Sequence, residues 1–339
     1  MAGEGAAVVF DRVVKQYESG QRAVDDVSLE IPHGSFTVFV GPSGSGKTTL
    51  LKTVNRMIEL DEGRVLVGGR DSSSVDPVLL RRGIGYVIQQ IGLFGHMTVA
   101  DNVACVPSLL GWEKSRIAAR VEELLSLVHL EPARYRDRYP AQLSGGEAQR
   151  VGIARALAAD PQIMLMDEPF GALDAIERER LQGEIADIQA RLAKTILFVT
   201  HDVAEALRLA SLLVVMRAGR VEQAGAPLAI MQGPANAFVG ALLNADDVVQ
   251  RFSIMKVSVV MQSGTASAAA SKGMSAETSG QRISADASGQ RIGSDRDLRS
   301  ALSLMLETGA DSLLVVDERG ASLGRLTMSD LRRAARPRQ

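Results

Sequence analysis

Between Ala6 and about Phe238, short apolar and often β-branched runs alternate with longer stretches of helical periodicity. Phe36 to Val40, Ile84 to Ile88, Ile163 to Met166, Ile196 to Thr200 and Leu212 to Met216 are predicted as strands. Several are apolar without interruption, the pattern of a sheet covered on both faces. Lys47 to Met57, Glu113 to Val128, Gly146 to Ala159, Ala175 to Leu192 and Val203 to Leu209 are predicted as helices, some with cap or turn residues in front of them. The alternation predicts an α/β, doubly wound fold on a largely parallel sheet. Beyond residue 240 the pattern thins. A strand is predicted at Val257 to Met261, and 20 of the 32 residues from 263 to 294 are Ser, Gly or Ala, with Ser-Gly-Gln-Arg-Ile at 279 and again at 288. This composition predicts a flexible linker or insertion. Order returns at Asp297 with a helix to Glu307, strands Ser312 to Val316 and Ser322 to Leu326, and a helix Met328 to Ala335. The expected organisation is a main domain over 1–240, a linker over 241–294 and a small α+β unit with a basic tail over 295–339.

Length and composition narrow the class. At 339 residues the chain is too long for one compact domain, and 46% hydrophobic with 23% charged residues excludes global disorder. With 38 Lys+Arg against 40 Asp+Glu the net charge is −2, so no nucleic-acid-binding polycation is expected and any bound anion must be gripped locally. The single cysteine, Cys105, cannot form an internal disulfide, and Met1 to Phe10 lacks the features of a secretory signal. A reducing, cytoplasmic setting is expected. Apolar runs such as Phe36 to Val40 span about five residues, against roughly 20 for a membrane-crossing helix.

Such a local grip is written between a strand and a helix. Gly41, Pro42, Ser43, Gly44, Ser45, Gly46, Lys47, Thr48 and Thr49 form the pattern G-x-x-x-x-G-K-T. Glycines let the backbone wrap a phosphate, amide N–H groups point inward, and the helix N-terminus adds positive potential. Lys47 is placed to reach the β and γ phosphates, and the Thr48 hydroxyl to bind Mg²⁺. A second chemical signal ends the strand Ile163 to Met166, which delivers Asp167 and Glu168 to the carboxyl edge of the sheet, where ligands sit in open α/β folds. Successive strand side chains face opposite ways, so Asp167 is assigned to the metal and Glu168 to orienting and deprotonating water. His201 closes another strand in the same manner and carries two readings, a contact to a γ phosphate or a structural residue at a strand end.

Leu143-Ser144-Gly145-Gly146-Glu147-Ala148-Gln149-Arg150 opens an apolar helix. It carries two readings: an anion site of backbone N–H groups and helix dipole, or an N-cap by Ser144 completed by Glu147. With these motifs in order and spacing, the stretch Val8 to Phe238 resembles the nucleotide-binding subunit of ATP-binding-cassette (ABC) transporters. The resemblance implies a P-loop NTPase fold with a RecA-like core, an antiparallel β subdomain and a helical subdomain. It implies ATP and Mg²⁺ as cofactors, Tyr17 stacking on adenine and Gln89 touching Mg²⁺ and water. It also implies Ser144, Gly145, Gly146 and Glu147 as the signature that completes a partner's ATP site, and Asp174 closing the loop Gly171-Ala172-Leu173-Asp174. Glu147 stands where many relatives have Gln, and Gly95 where relatives usually carry Pro.

The family further implies a homodimer in the ATP-bound state, separate transmembrane permease subunits, indirectly a solute-binding protein, and a place on the cytoplasmic face of the bacterial inner membrane. Tyr86-Val87-Ile88-Gln89-Gln90-Ile91-Gly92-Leu93-Phe94 is similar to importers of glycine betaine, carnitine, choline and proline betaine. The alternatives are an importer of a polyamine or sugar, and a soluble cassette ATPase of translation or DNA repair. Relatives of the first kind often end in cystathionine-β-synthase-type (CBS) modules, and Asp297 to Ala335 resembles one. Gly324 to Asp330 is then similar to a ribose-contacting stretch, while Thr327 and Asp330 are equally spaced as a capping box. Arg332, Arg333, Arg336 and Arg338 form a basic tail, either solvated or facing anionic lipid.

Overall fold

A computed structural model describes residues 6–89, 92–171, 173–263 and 290–335. Gln90, Ile91, Ala172, Arg336, Arg338 and most of the low-complexity stretch (264–289) lie outside the described residues. The chain divides into two compact units, Met1–Pro227 and Leu228–Gln339.

In the first unit, strands β1 (Ala6–Gln16), β2 (Arg22–Pro32), β4 (Glu62–Val67) and β5 (Arg70–Asp71) form an antiparallel sheet in the order β2-β1-β4-β5. The second sheet has six strands: β3 (Phe36–Val40), β6 (Ile84–Val87), β7 (Ile163–Asp167), β8 (Thr195–Val199), β9 (Leu212–Arg217) and β10 (Arg220–Gly225), in the order β10-β9-β3-β8-β7-β6. All neighbours but β9 and β10 are parallel. Every residue of β3, β7 and β8 is buried, as their unbroken apolar sequences require. The helix Lys47–Val54 packs between the two sheets. Its Leu50, Leu51 and Val54 share one core with Val8, Phe10 and Ile31 of the antiparallel sheet and with Phe39, Leu165, Leu197 and Val214 of the parallel one.

Register fixes what this sheet presents. Val38 lies opposite both Phe198 and Leu213, and Asp167 opposite Val199. Parallel strands in that register end together, so the residues after Val40, Val87, Met166 and Val199 emerge along one edge. Gly85 lets the helix Gly145–Leu157 lie close on β6, since a Cβ there would meet the Ala156 carbonyl oxygen at 2.6 Å.

The second unit holds a four-stranded sheet, β11 (Gln262–Ser263), β12 (Arg291–Gly293), β13 (Ser312–Val316) and β14 (Ser322–Thr327), in the order β11-β14-β13-β12. Its helices Leu298–Thr308 and Met328–Ala335 bring Leu298, Ala301, Met305 and Leu331 onto Leu313, Val315 and Leu326. Two expectations are corrected. Val257–Val260 is a helical turn, not a strand. Val257 is fully buried while Val259 is 70% exposed, and Met261 N–H donates to the Val257 carbonyl at 2.9 Å, so tertiary packing overrides the β-propensity of the valines. The expected linker also ends earlier, because Arg291–Gly293 forms β12, paired in parallel with β13.

Candidate active site

Gly46 is the residue before the helix Lys47–Val54 and has φ 98°, a left-handed conformation open to glycine at no steric cost. A Cβ there would also strike the Ala23 carbonyl oxygen at 2.1 Å. No side chain caps this helix, so its first amides stay uncommitted for a ligand. Lys47 is 5% exposed, and its Nζ donates to the carbonyl oxygens of Gly41 and Pro42, both at 2.8 Å, and to Ser45 Oγ at 3.3 Å. Burial pushes the ammonium below the ordinary lysine range, and the carboxylates of Glu168 and Asp167 oppose this in part. The residues fit a polyphosphate: a glycine cradle, a free helix terminus and a desolvated cation meet in one loop.

Thr48 Oγ1 donates to Asp167 Oδ1 at 2.7 Å, so the two residues named for Mg²⁺ already touch. Lys52 Nζ lies 3.5 Å from Asp167 Oδ2 and supplies its present counter-charge. Among the described residues no group of three or more His, Cys, Asp or Glu is placed to hold a metal ion by itself. One hydroxyl and one carboxylate suit Mg²⁺, which keeps waters and takes phosphate oxygens rather than an all-protein cage. Tyr17 is 44% exposed, and its hydroxyl sits 3.4 Å from Thr49 Oγ1, which fixes the aromatic beside the cradle.

The carboxylate of Glu168 gathers the remaining group. Gln89 Nε2 donates to its Oε2 at 3.4 Å, and His201 Nδ1 lies 3.2 Å from the same oxygen. Three strands, β6, β7 and β8, therefore deliver one amide, one acid and one imidazole to a single oxygen. Glu168 has φ 44°, a left-handed backbone that costs a non-glycine residue free energy and recurs at functional sites.

Ser144–Gly146 stands apart from this cluster. Ser144 and Gly145 are exposed. Ser144 Oγ accepts from Glu147 N–H at 3.3 Å while Glu147 Oε2 accepts from Ser144 N–H at 2.8 Å, the reciprocal capping box. Tyr135 Oη donates to Glu147 Oε1 at 2.6 Å, and this bond, with those from Ser144, holds the Glu147 carboxyl below the usual carboxylate range. Asp174 caps the helix Ala175–Leu192, with Oδ1 accepting from the N–H groups of Ile176 and Glu177 at 3.0 Å. Sequence reasoning missed Lys52, one turn and a residue beyond Lys47 on the same helix, and Tyr135, which no spacing rule links to Glu147.

In the second unit, Thr327 and Asp330 make a capping box: Asp330 Oδ2 accepts from Thr327 N–H and Oγ1–H at 3.0 and 2.6 Å, and Asp330 N–H donates back at 3.2 Å. Gln262 and Arg333 donate to the same carboxylate at 3.0 and 2.6 Å.

A phosphate cradle, a Thr–Asp pair and a carboxylate met by an amide and an imidazole, all on the carboxyl edge of one parallel sheet, define the class as a phosphate-loop nucleotide-binding protein. The ABC transporter family matches residues 24–171. The carnitine transport ATP-binding protein OpuCA of Listeria monocytogenes is 43% identical over 310 residues, 91% of this chain and 72% of that protein. The glycine betaine uptake system ATP-binding protein YehX of Escherichia coli is 43% identical over 324 residues, 96% and 98% of the two chains. The structure is similar to a dimeric, post-hydrolysis ATP-binding cassette bound to ADP and Pi, with TM-score 0.59 and 33% identity over 65% of this chain and 98% of that one. This chain belongs to the ATP-binding proteins of the ABC transporter family.

Proposed function

We propose that this chain is the ATP-hydrolysing subunit of an importer of quaternary-amine osmoprotectants, working as a homodimer on separate transmembrane permease subunits that are fed by a solute-binding protein. The observation that carries the reading is the convergence of Gln89 and His201 on Glu168 beside the Lys47, Thr48 and Asp167 cradle. The choice of solute class rests on the likeness to OpuCA and YehX. Those matches run over 310 and 324 residues, longer than the 227 residues of the first unit, so the likeness reaches beyond the cassette common to importers of many solutes.

Each residue has a distinct part. The amides of Gly41–Gly46 and the Lys47 ammonium grip the phosphates, Tyr17 offers its ring to the base, and Thr48 and Asp167 hold the metal side. Mg²⁺ held there would offset the negative charge that builds during phosphoryl transfer. Glu168 accepts the proton of the attacking water, Gln89 orients that water, and His201 steadies Glu168 and faces the terminal phosphate. Ser144 to Gly146 project an exposed helix terminus that serves a partner's nucleotide, which explains why one chain carries two phosphate-type helix ends. Among the described residues no helix is long and apolar enough to cross a membrane, as suits a peripheral subunit on the cytoplasmic face of the inner membrane.

Reconstitution with its permease partners and measurement of which compound stimulates ATP turnover tests the reading. Stimulation by glycine betaine, carnitine or choline is expected; stimulation by a polyamine or sugar alone overturns the solute assignment and leaves the ATPase assignment standing.

A further inference from the structure

The second unit contains a cavity of about 720 Å³. Met231, Val248, Met255 and Val260 give it apolar walls, and Arg251 and Arg333 bring two guanidinium groups to it. Arg333 is 69% exposed at its side chain and paired with Asp330, Nη2 to Oδ1 2.6 Å. Arg251 is only 8% exposed. Its Nη2 donates to the Ala335 carbonyl at 2.7 Å, while its buried Nε meets no acceptor among the described residues. Asp246 lines the same cavity, yet among the described residues no carboxylate comes within 4.0 Å of Arg251.

A guanidinium stays charged at every pH a protein meets. Placing that charge out of water without a counter-ion is costly, and buried arginines are as a rule paired. The volume lies within the range of small-molecule sites, about 300–1,000 Å³, which pair apolar walls with a few fixed polar groups.

We propose that this cavity binds an amphipathic oxyanion, a phosphate head group on Arg251 with an apolar body against Met231, Val248, Met255 and Val260. The bond to Ala335 holds one edge of the guanidinium and so presets the fork that phosphate oxygens match. The chemistry is the same whether the head group belongs to a lipid or to a soluble organic phosphate. Thr327 and Asp330 do not line the cavity, although Asp330 holds Arg333 at its rim, and every lining residue belongs to the second unit, so the proposal does not rest on the function of the first.

The test uses the full chain with its phosphate loop saturated by Mg-ADP. Calorimetric titration with n-hexyl phosphate is compared with inorganic phosphate and with hexanol. Binding of hexyl phosphate at least tenfold tighter than either is expected. Arg251→Met should weaken it at least tenfold, and so should Val259→Trp, which narrows the cavity from an exposed wall position without touching Arg251. Equal affinity for the three probes, or binding retained in both variants, overturns the proposal; if Arg251→Met does not fold, Val259→Trp alone decides. Arg251-dependent co-sedimentation with phosphatidic acid vesicles, absent with phosphatidylcholine, assigns the head group to lipid. Tight hexyl phosphate binding without such co-sedimentation assigns it to a soluble ligand.

Discussion

The first unit begins two helices with glycine-rich turns, and the two are finished in opposite ways. Lys47–Val54 starts from a left-handed Gly46 with no side-chain cap, whereas Gly145–Leu157 starts from Ser144 in a complete capping box with Glu147. Both ends carry the same partial positive charge. At the first, the amides are left for a ligand, while the buried Lys47 is held by the carbonyls of Gly41 and Pro42 and by Ser45 Oγ until a phosphate replaces them. At the second, the helix satisfies itself and keeps only an exposed tip to offer. A self-capped end can wait in solvent for a second copy, while the uncapped one keeps its amides open for a ligand bound by its own chain.

Substitutions can break that contrast, beginning where the effect is greatest. Glu168→Gln should lower single-turnover hydrolysis by about 10²–10⁴-fold, the usual worth of a general base, while leaving nucleotide affinity within a few-fold and trapping an ATP-bound dimer seen by size-exclusion chromatography. Hydrolysis near the parent rate would remove Glu168 from its assigned part. Lys47→Ala should weaken ATP binding to the single chain about ten- to a hundredfold by fluorescence titration, since a charge-assisted bond is worth about 1.5–3 kcal/mol; unchanged affinity would contradict the cradle.

Ser144→Ala sharpens the comparison from the other side. The lost cap should cost about 1 kcal/mol in denaturant unfolding, with monomer nucleotide affinity unaltered and ATP-driven dimerisation weakened. Equal loss of affinity in the monomer would place Ser144 at its own chain's nucleotide. Tyr135→Phe removes one bond to Glu147 and should cost about 0.5–1.5 kcal/mol, the least of the set, read by the same unfolding curves.

Acidity separates the two ends as well. Burial lowers the Lys47 pKa in the folded free protein, and a bound phosphate favours its charged form. Below that lowered value the lysine is already charged and affinity should not vary with pH; above it, binding must take up a proton and affinity should fall. Over the same window, up to the pKa of an exposed lysine, the free protein should gain stability as pH rises, because the unfolded chain then holds the extra proton. Calorimetry in buffers of different ionisation enthalpy reads the uptake; none at alkaline pH would contradict the burial of Lys47.

The parts legible in the sequence were those carried by strand ends. Uninterrupted apolar runs ending in Gly41, in Asp167 and Glu168, and before His201 place each chemical group by the geometry of parallel strands alone. Gln89 and Tyr17 needed the family resemblance, because an amide or a phenol at a strand end has no spacing of its own. Lys52 and Tyr135 were invisible since their partners lie across the fold, Asp167 on β7 and Glu147 on another helix. In the second unit the strand Arg291–Gly293 was hidden by the Ser, Gly and Ala beside it: three residues pair by register with β13 rather than by any strong preference. The turn Val257–Val260 reversed its propensity because burying Val257 decided the backbone.

The left-handed backbone at Glu168 sets two selection pressures at odds. Glycine at that position would relieve a penalty of about 1–2 kcal/mol, of which the greater freedom of the unfolded chain takes back about 0.4–1 kcal/mol; a library sorted for thermal resistance should still enrich Glu168→Gly, and a library sorted for growth under osmotic stress should discard it. The most durable version of this molecule would then be an inert one.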